Sequence, residues 1–377
     1  MTDRKRLVFW GPGHIGGAAL REVLKSPDRF DVVGARVYSP DKHGRDVGEL
    51  VGVGPIGVTA TTETAEILSL DADCVVFTPL PLDHDQVTRD ALALLRSGKN
   101  VVTTTSFHYP EMRGPEHVAQ LEAACREGLA TLHGTGIHPS FMAERLVLTL
   151  TGLFTDVHHI RLAEACDTSK ALHEMAPEFL AVIGFGQPLD AITPEGLGAL
   201  LVNPYYHGVM GYVANALFGA SPDQLRFEHE HYGLPADRDY HFPNVTIAQG
   251  NALTLVHVHR GYIGDHHFFT NEEYYYVGAE QRTVGRAGPP FGPYNGQANY
   301  AVEVSGDPFD LTLQLDLAST RSDNVPAITY MSVVPLLQSI DQAIDAEPGP
   351  ALHGGRQRAG HRAQIGQLQM GIIAAQP

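Results

Sequence analysis

Short apolar runs and helix-like segments alternate over the first part of the chain. The helical spacing of apolar positions predicts helices at 18–25, 85–97 and 116–127, with Gly128 as the C-cap of the third. Apolar runs predict strands around them, at residues 7–10, 30–39, 73–79, 100–104 and 130–134. Strands that alternate with helices at this spacing favour an α/β fold with a doubly wound, parallel sheet.

The pattern changes character beyond about residue 145. Helices are predicted at 170–180, at 205–217, at 222–230 with Ser221 as N-cap, and at 325–344 with an interruption at Pro335. Strands are predicted at 157–164, 252–260, 266–277, 300–304 and 310–317, the last with clean period-two alternation. Successive hairpins indicate a second, α+β domain with a mixed or antiparallel sheet.

These patterns divide the chain into three parts. Residues 1–145 are predicted to form the first domain, which a returning helix at 323–346 joins. Residues 146–322 are predicted to form a substrate-binding domain that contains a Gly- and Pro-rich loop at 285–296. Residues 347–377 have weak periodicity and are predicted to be an irregular C-terminal tail.

A glycine-rich turn, residues 11–16, stands between the first predicted strand and the first predicted helix. In dinucleotide-binding proteins the first glycine makes a tight turn, the second lets the backbone approach a pyrophosphate, and the third lets the helix pack on the strand. The helix N-terminus offers free N–H groups to the anion. The motif predicts a Rossmann domain whose cofactor contacts are Gly11, Pro12, Gly13, His14, Ile15 and Gly16.

Loops at the carboxyl ends of the parallel strands are expected to surround the same crevice, because ligands of doubly wound sheets bind at that edge. The further cofactor contacts predicted on this ground are Ser39, Thr78, Pro79, Leu80, Thr103, Thr104 and His138.

The end of the second strand bears on the choice of cofactor. NAD sites usually carry an acidic residue there, which binds the adenosine ribose. This chain has Ser39 instead, with Lys42 and Arg45 further on. A hydroxyl and two cations suit a 2′-phosphate, so NADP(H) is the preferred cofactor and NAD(H) stays possible. The alternative is that Lys42 and Arg45 are solvated loop charges.

Composition excludes several classes of partner. The formal net charge of −17 argues against nucleic acid and against anionic membrane surfaces. Three cysteines without CxxC spacing argue against a disulfide framework and fit a reducing cytoplasm. The first apolar run is too short for a signal peptide, and no stretch reaches the length of a membrane span. A cytoplasmic protein with a small-molecule substrate is expected.

Five segments together resemble dihydrodipicolinate reductase-like oxidoreductases, and most closely the branch of 2,4-diaminopentanoate dehydrogenase and the native amine dehydrogenases. These segments are residues 11–16, 37–52, 134–141, 184–186 and 346–349. The resemblance implies a Rossmann domain, a mixed α/β substrate domain that also makes a homodimer, and NAD(P)H-linked reduction of a C=N bond or the reverse reaction.

The chain departs from that family at two functional positions. The family's glutamate before a Tyr-Pro pair is absent here, and Thr105 and Ser106 stand near its place before Tyr109-Pro110. Where the family tends to have an asparagine near the nicotinamide, this chain offers Ser332, which the resemblance makes a further cofactor contact. The paired-His and Pro-Ser-Gly-Thr signature of true dihydrodipicolinate reductases is also absent.

Hydride transfer requires a proton donor near the reacting carbon, because the cofactor carries the rest of the chemistry. His108 is the first candidate, since an unperturbed imidazole pKa of ~6.5 suits this work. It could instead be a loop histidine that contacts Tyr109 or the backbone. Tyr109 could bind substrate or anchor packing, and Ser106 could contact nicotinamide or act as a cap.

Substrate binding is assigned to Asp167, Lys170 and His173, which follow the first strand of the second domain. Lys170 and His173 have the spacing of one helix face, and the alternative is a solvated helix start.

The chain also contains 20 histidines, some of them in close pairs. The pairs are His229 with His231, His257 with His259, and His266 with His267. No metal is expected, because none of the pairs has a spaced third ligand.

The leading hypothesis is an NADP(H)-dependent oxidoreductase that acts on a small imine, amine or carbonyl compound. The alternative is an NAD(P)-binding sensor or a non-catalytic relative, which the missing glutamate favours.

Overall fold

The structure is a computed structural model that describes residues 4–175, 177–278, 298–323 and 325–351. The predicted loop at 285–296 and most of the predicted tail lie outside these residues. In chain order the strands are β1 (Lys5–Trp10), β2 (Phe30–Arg36), β3 (Ala60–Thr61), β4 (Cys74–Phe77), β5 (Asn100–Thr103), β6 (Thr131–Gly134), β7 (Asp156–Asp167), β8 (Leu225–Pro235), β9 (Tyr240–His241), β10 (Thr246–Ile247), β11 (Ala252–Ile263), β12 (His266–Tyr276), β13 (Ala298–Asp307), β14 (Leu311–Leu317) and β15 (Gly349–Ala351).

The helices pack on two sheets. In chain order they are α1 (His14–Val23), α2 (Val47–Leu50), α3 (Thr64–Ser69), α4 (His84–Arg96), α5 (Pro115–Gly128), α6 (Leu148–Thr151), α7 (Ala171–Glu174), α8 (Pro177–Ile183), α9 (Leu197–Phe218) and α10 (Ala327–Asp345). A kinked helical segment, Ile137–Val147, follows β6. None of the helices in the described ranges is long and apolar enough to cross a membrane.

The first sheet is parallel, in the order β15-β6-β5-β4-β1-β2-β3. Successive strands are added on one side of β1 up to β3 and on its other side from β4 onward. The gap between β1 and β4 is therefore the topological switch point, where doubly wound sheets bind ligands. The central strands are apolar on both faces, as the predicted α/β fold requires, because helices cover both sides. The sequence prediction of a doubly wound parallel sheet is confirmed.

The second sheet is mixed, in the order β14-β13-β7-β12-β11-β8. The pair β7 and β12 is parallel, and the other neighbours are antiparallel. Helix α9 and the segment Ile137–Val147 pack on this sheet through a core that includes Met142, Val209, Val213 and Phe269. The predicted second α+β architecture is confirmed.

Helix α10 leaves the second sheet and packs against the first. Its residues Val333, Leu336 and Ile340 share one buried core with Leu7 and Phe9 of β1. The chain then continues into β15, which pairs with β6 and so extends the first sheet by one strand. The sequence analysis had assigned this stretch to an irregular tail, because three residues are too few to show a period.

Several local predictions were wrong. Residues 222–230 are not a helix: a 3₁₀ turn at Pro222–Gln224 leads directly into β8. Helix α9 begins eight residues before the predicted start and runs through Pro204 without ending. Gly128 is the last residue of α5 rather than its cap, and Leu129 takes the left-handed cap conformation at φ 52°. A Cβ on Gly128 would collide with the Leu95 carbonyl oxygen, so this glycine serves close packing.

Candidate active site

The glycine turn joins β1 to α1 in a form that only glycine permits at two positions. Gly11 has φ +76°, and a Cβ there would lie 2.8 Å from the Thr78 carbonyl oxygen. A Cβ on Gly16 would lie 2.6 Å from the Gly11 carbonyl oxygen and would also collide with Thr78 Oγ1. The Thr78 hydroxyl itself donates to the Gly11 carbonyl at 3.0 Å. Thr78 therefore holds the turn against the end of β4.

The N-terminus of α1 offers backbone donors to a ligand. Gly13 is its exposed N-cap residue, and none of the described side chains caps this helix. A Cβ on Gly13 would meet nothing closer than 4.0 Å within the protein, so the missing side chain opens the turn from the outside. Free N–H groups and an open approach fit the pyrophosphate of a dinucleotide. Pro12 and Ile15 are partly buried beside these positions.

The end of β2 carries a cation that the sequence analysis missed. Arg36 is the last residue of the strand, and its guanidinium lies over Tyr38 at 4.0 Å and over Trp10 at 5.0 Å from the ring centroids. Its Nε and Nη1 are buried without a hydrogen-bond partner among the described residues. Ser39 and Lys42 follow, partly buried, in the next turn. Arg45 is exposed, and so is Leu80 after β4, whereas Pro79 is buried.

A cavity of about 270 Å³ lies between the two sheets, and we call it the central cavity. His14 and Ile15 from the glycine turn line one side of it, and Ser332 from α10 lines it nearby. His14 Nε2 is 2.6 Å from Thr329 Oγ1 of α10. The remaining lining comes from the second domain: Cys166, Asp167, Thr168, Ala171, Leu172, Met175, Phe179, Ile183, Phe185, Gly198, Val202, Leu255, His257 and Tyr275, with Ile328 of α10.

The loop after β5 is largely closed. Thr103 is buried, and its hydroxyl lies 2.7 Å from that of Thr105, whereas Thr104 and Ser106 are partly exposed. Tyr109 is buried and packs edge-on against Tyr212 at 5.7 Å between ring centroids, which is a packing anchor rather than a cavity wall.

His108 lies away from the central cavity, with 1% of its side chain exposed. Its Nε2 is 3.9 Å from Glu144 Oε1, and the ring fills the space that a Cβ on Gly208 would need. Burial, with a contribution from His138, lowers the pKa of His108 to about 3. Burial raises the pKa of Glu144 to about 8, so at neutral pH both groups are uncharged. The ring is enclosed and does not line the central cavity, so the role of His108 as a proton donor stays a prediction.

His138 also points away from the crevice. Its side chain is fully buried, and Nε2 lies 2.6 Å from Asn271 Oδ1 of β12 and 3.7 Å from Glu273 Oε1. Burial lowers its pKa to about 4. The predicted contact with a cofactor would require this ring to leave the second sheet.

Of the three predicted substrate residues, only Asp167 lines the central cavity. Its Oδ1 accepts hydrogen bonds from the backbone N–H of Ser169 at 2.9 Å and of Gly278 at 3.3 Å. Lys170 is the partly buried N-cap residue of α7. His173 is exposed, with its ring edge-on to Phe242.

Behind the cavity, one face of the second sheet carries a line of ionisable side chains that sequence reasoning did not find. Strand pairing aligns one residue from each of five neighbouring strands, and we call this line the ionisable row. Its members, from β8 to β13, are His231, His257, Glu273, Glu164 and Tyr300. On three of these strands the next residue on the same face, two positions from the row, lines the cavity. These residues are Leu255, Tyr275 and Cys166.

Burial dominates the electrostatics of this row. It raises the pKa of Glu164 to about 7, and it raises the pKa of Glu273 well above the usual carboxyl value, with Glu164 adding to the effect. The Cys166 thiol donates to Glu164 Oε1 at 3.3 Å, which connects the carboxyl group to the cavity wall. Burial also lowers the pKa of His231 to about 4. The row is therefore mostly uncharged at neutral pH.

Three histidines converge at one end of the row, contrary to the expectation that no third ligand exists. His229, His231 and His257 each offer one ring nitrogen, and the three atoms lie within 4.8 Å of one another. Residues 222–230 were predicted to be a helix, whereas the observed strand β8 pairs with β11 and so brings His229 and His231 next to His257. Two His-x-His patterns in strands that pair were the available signal.

No protein-family model matches the chain. An amine dehydrogenase of Streptomyces virginiae is 30% identical over 223 residues, which are 58% of this chain and 61% of the relative. The 2,4-diaminopentanoate dehydrogenase of Acetoanaerobium sticklandii is 23% identical over 229 residues, which are 57% of this chain and 60% of the relative. The chain thus spans about three fifths of the length of these curated relatives.

A solved structure extends the likeness to the whole fold. The amine dehydrogenase from Mycobacterium smegmatis superimposes with a TM-score of 0.73 at 21% identity and covers 95% of this chain and 98% of its own. At this identity the match shows a shared fold. The sequence resemblance to this branch is nevertheless confirmed over the matched residues. The chain is therefore similar in sequence to an amine dehydrogenase and to 2,4-diaminopentanoate dehydrogenase over about three fifths of their lengths, and it shares the fold of a solved amine dehydrogenase.

Proposed function

We propose that this protein is an NADP(H)-dependent oxidoreductase that interconverts a small amine and its imine or carbonyl counterpart. The observation that carries the proposal is the central cavity, because His14 and Ile15 of the glycine turn and Asp167 of the second domain share its wall. A bound nicotinamide supplies or accepts the hydride. The chain's own residues hold the substrate, exclude water and place charge beside it.

The lining indicates a small, largely apolar substrate. Leu172, Phe179, Phe185, Val202 and Leu255 form apolar walls that exclude water. The volume of about 270 Å³ is just below the range of about 300–1,000 Å³ typical of ligand pockets. An apolar pocket of this size with few polar groups leaves each polar group to orient the ligand.

Asp167 favours an amine or iminium over a neutral carbonyl compound. The bonds from Ser169 and Gly278 use Oδ1, which fixes the carboxylate and leaves Oδ2 for a ligand. A carboxylate in a mostly apolar cavity attracts a cationic nitrogen strongly, because water does not screen the pair. We propose that Asp167 replaces the glutamate that the family resemblance leads one to expect near Thr105 and Ser106.

The preference for NADP(H) rests on Arg36. Its planar guanidinium stacks on Tyr38 at the end of β2 and has two buried N–H groups without a described partner. Such a group can stack on adenine and bind a 2′-phosphate at once. Ser39 and Lys42 follow within the same turn and add a hydroxyl and a second cation. NAD(H) stays the alternative cofactor.

The test is a coupled assay of the full chain. NADPH or NADH is mixed with aldehydes and ketones, with and without ammonia, and the absorbance of the reduced nicotinamide is followed. We expect consumption that depends on ammonia and a rate that falls about 10- to 100-fold in Asp167→Asn, because a hydrogen bond to a charged group is worth about 1.5–3 kcal/mol. The matched control is Asp310→Asn, since Asp310 is exposed between β13 and β14.

The absence of the family glutamate favours a second candidate, an NAD(P)-binding sensor without turnover. Binding of NADPH without consumption over the whole panel would establish that candidate and refute the oxidoreductase. Equal rates with and without ammonia would refute the amine part alone.

We also propose a homodimer in the cytoplasm, on the strength of the family resemblance and of three buried, free cysteines. Light scattering of the purified chain tests the oligomeric state.

A further inference from the structure

Two His-x-His segments lie side by side on the second sheet. In the pairing of β8 with β11, His231 is opposite His257 and His229 is opposite His259. Alternate residues of a strand share a face, and directly opposed side chains have Cβ atoms about 4.5–5.5 Å apart. Short imidazole side chains at these positions therefore meet over the sheet.

The ring nitrogens meet in an arrangement that hydrogen bonds cannot satisfy. His257 Nδ1 lies 2.8 Å from His231 Nδ1 and 3.1 Å from His229 Nε2. A ring nitrogen has either one N–H or one lone pair in its plane, so His257 Nδ1 can make only one good hydrogen bond. At least one of the three converging nitrogens therefore has a lone pair or an N–H without a good partner. A metal ion between them could accept the lone pairs of all three. This is why mutual hydrogen bonding of buried histidines does not account for the cluster.

Two carboxyl groups lie in the same row as the histidine cluster. Glu273 of β12 is paired directly with His257 of β11, and Glu164 of β7 is paired directly with Glu273. Glu273 Oε2 is also 3.7 Å from His259 Nδ1. A buried cation needs ligands or partners, and the row holds two carboxyl groups beside the histidines.

The cluster is reachable from two sides. His257 lines the central cavity, and His231 lines a second cavity of about 270 Å³ between α8, α9 and the turn at Leu189–Ala191. A metal site needs an entry path and, if it is to bind an exogenous ligand, an open position. Each of the two cavities borders one histidine of the cluster.

We propose that His229, His231 and His257 bind one divalent transition-metal ion, such as Zn²⁺, with a fourth position open to one of the two cavities. Three imidazoles are a ligand set that suits Zn²⁺, Cu²⁺ and Ni²⁺. Tetrahedral bonds of ~2.0–2.1 Å place ligand nitrogens about 3.3 Å apart, and the three ring nitrogens already lie within 4.8 Å of one another. The site does not depend on the proposed oxidoreductase activity.

The experiment uses the full-length, untagged chain after treatment with a chelator and dialysis. Zn²⁺ is titrated in competition with a chromophoric chelator, and Co²⁺ is added separately as a spectroscopic probe. We expect one tight Zn²⁺ per chain, a visible Co²⁺ spectrum of four-coordinate type, and a thermal midpoint about 5 °C higher with saturating Zn²⁺.

Single variants locate the site. His231→Gln and His257→Gln should each weaken Zn²⁺ affinity at least about 100-fold, because three ligands cannot be reduced to two without losing most of the binding free energy. The control is His158→Gln, which removes the histidine of the exposed Asp156, His158 and Asp307 group and should bind like the wild type. Circular dichroism of the metal-free variants checks that they fold.

Three results would overturn the proposal. They are the absence of tight Zn²⁺ and of a thermal shift in the wild type, wild-type affinity in the His231 or His257 variant, and loss of binding in the His158 variant. If a variant does not fold, the stoichiometry and thermal shift of the wild type still decide.

Discussion

The two sheets build binding sites in different ways. In the first sheet the site is made of backbone: Gly11, Gly13 and Gly16 shape a turn, and the N–H groups of α1 face outward. In the second sheet the site is made of side chains from different strands, such as His257 and Glu164. A backbone site is encoded in contiguous residues, whereas a side-chain site of this kind exists only once the strand register is set.

This difference sets the sensitivity of each region. The glycine turn tolerates no added volume at Gly11 and Gly16, because a Cβ at either position would collide with backbone atoms. The ionisable row holds buried groups whose protonation is coupled to folding. Substitution of its glycines should therefore disrupt the glycine turn, whereas a change of pH should alter the stability of the second sheet.

The largest effect is expected for Gly16→Ala. The added Cβ would lie 2.6 Å from the Gly11 carbonyl oxygen, so the turn must open and its N–H groups move. Overpacking of this kind costs about 1–3 kcal/mol, and we expect NADPH binding to weaken at least about 100-fold as the turn shifts. Fluorescence titration of NADPH measures the change.

Gly17→Ala is the matched control for that variant. Its Cβ would lie 3.4 Å from Val51 Cγ1, which is an ordinary contact. A helical Gly→Ala change should leave binding unaltered and stabilise the protein by up to about 1 kcal/mol. Similar losses in both variants would show that the helix, and not the turn, controls binding.

The buried ring of His138, which lies against β12 of the second sheet, should contribute less stability in acid. The pKa of His138 is about 4 in the folded chain against 6.5 ordinarily, so the unfolded state binds more protons between these values. Stability from this ring is fully present above pH 6.5 and decreases as the pH falls toward 4. At pH 5 the loss is on the order of 2 kcal/mol for one such ring.

Urea unfolding at pH 7 and pH 5 measures this effect. His138→Gln should reduce the difference between the two pH values by about that amount, and His158→Gln, at an exposed position, should leave it unchanged. Hydrogen exchange at pH 5 should show β12 opening before β1. Equal opening of both sheets would remove the contrast between them.

The same contrast explains what could be predicted from the sequence. The glycine turn and the parallel sheet were predictable, because strand, turn and helix signals are local. The ionisable row was not, because its residues lie on five strands and align only through pairing. The wrong prediction of a helix at 222–230 is an example, because only the pairing of β8 with β11 brings His229 next to His257. Burial of His108 likewise depends on Gly208, which is distant in sequence.

An intermediate effect is expected at the end of β2. Arg36→Ala should weaken NADPH binding about 10-fold and NADH binding much less, because a charge-assisted pair with a phosphate is worth about 1.5–3 kcal/mol. Arg36→Lys keeps the charge but loses the planar stacking on Tyr38. Its affinity for NADPH should therefore lie between that of the wild type and that of Arg36→Ala. Parallel titrations with both dinucleotides measure the ratio. Equal losses for NADPH and NADH would mean that Arg36 only stacks.

The smallest effect is expected at Leu129, a residue with a Cβ in a conformation that usually favours glycine. Leu129 is 77% exposed and has φ 52° and ψ 41°, a left-handed conformation that costs a residue with a Cβ about 1–2 kcal/mol. Leu129→Gly relieves that strain but adds about 0.5–1 kcal/mol of chain entropy to the unfolded state, so a net stabilisation of up to about 1 kcal/mol is expected in urea unfolding.

The control is Leu153→Gly, since Leu153 is 60% exposed and has no positive φ. That variant should be neutral or destabilised. If Leu129→Gly is destabilised as well, contacts of Leu129 outweigh its backbone strain, and local rules govern the first domain less fully than its glycine turn indicates.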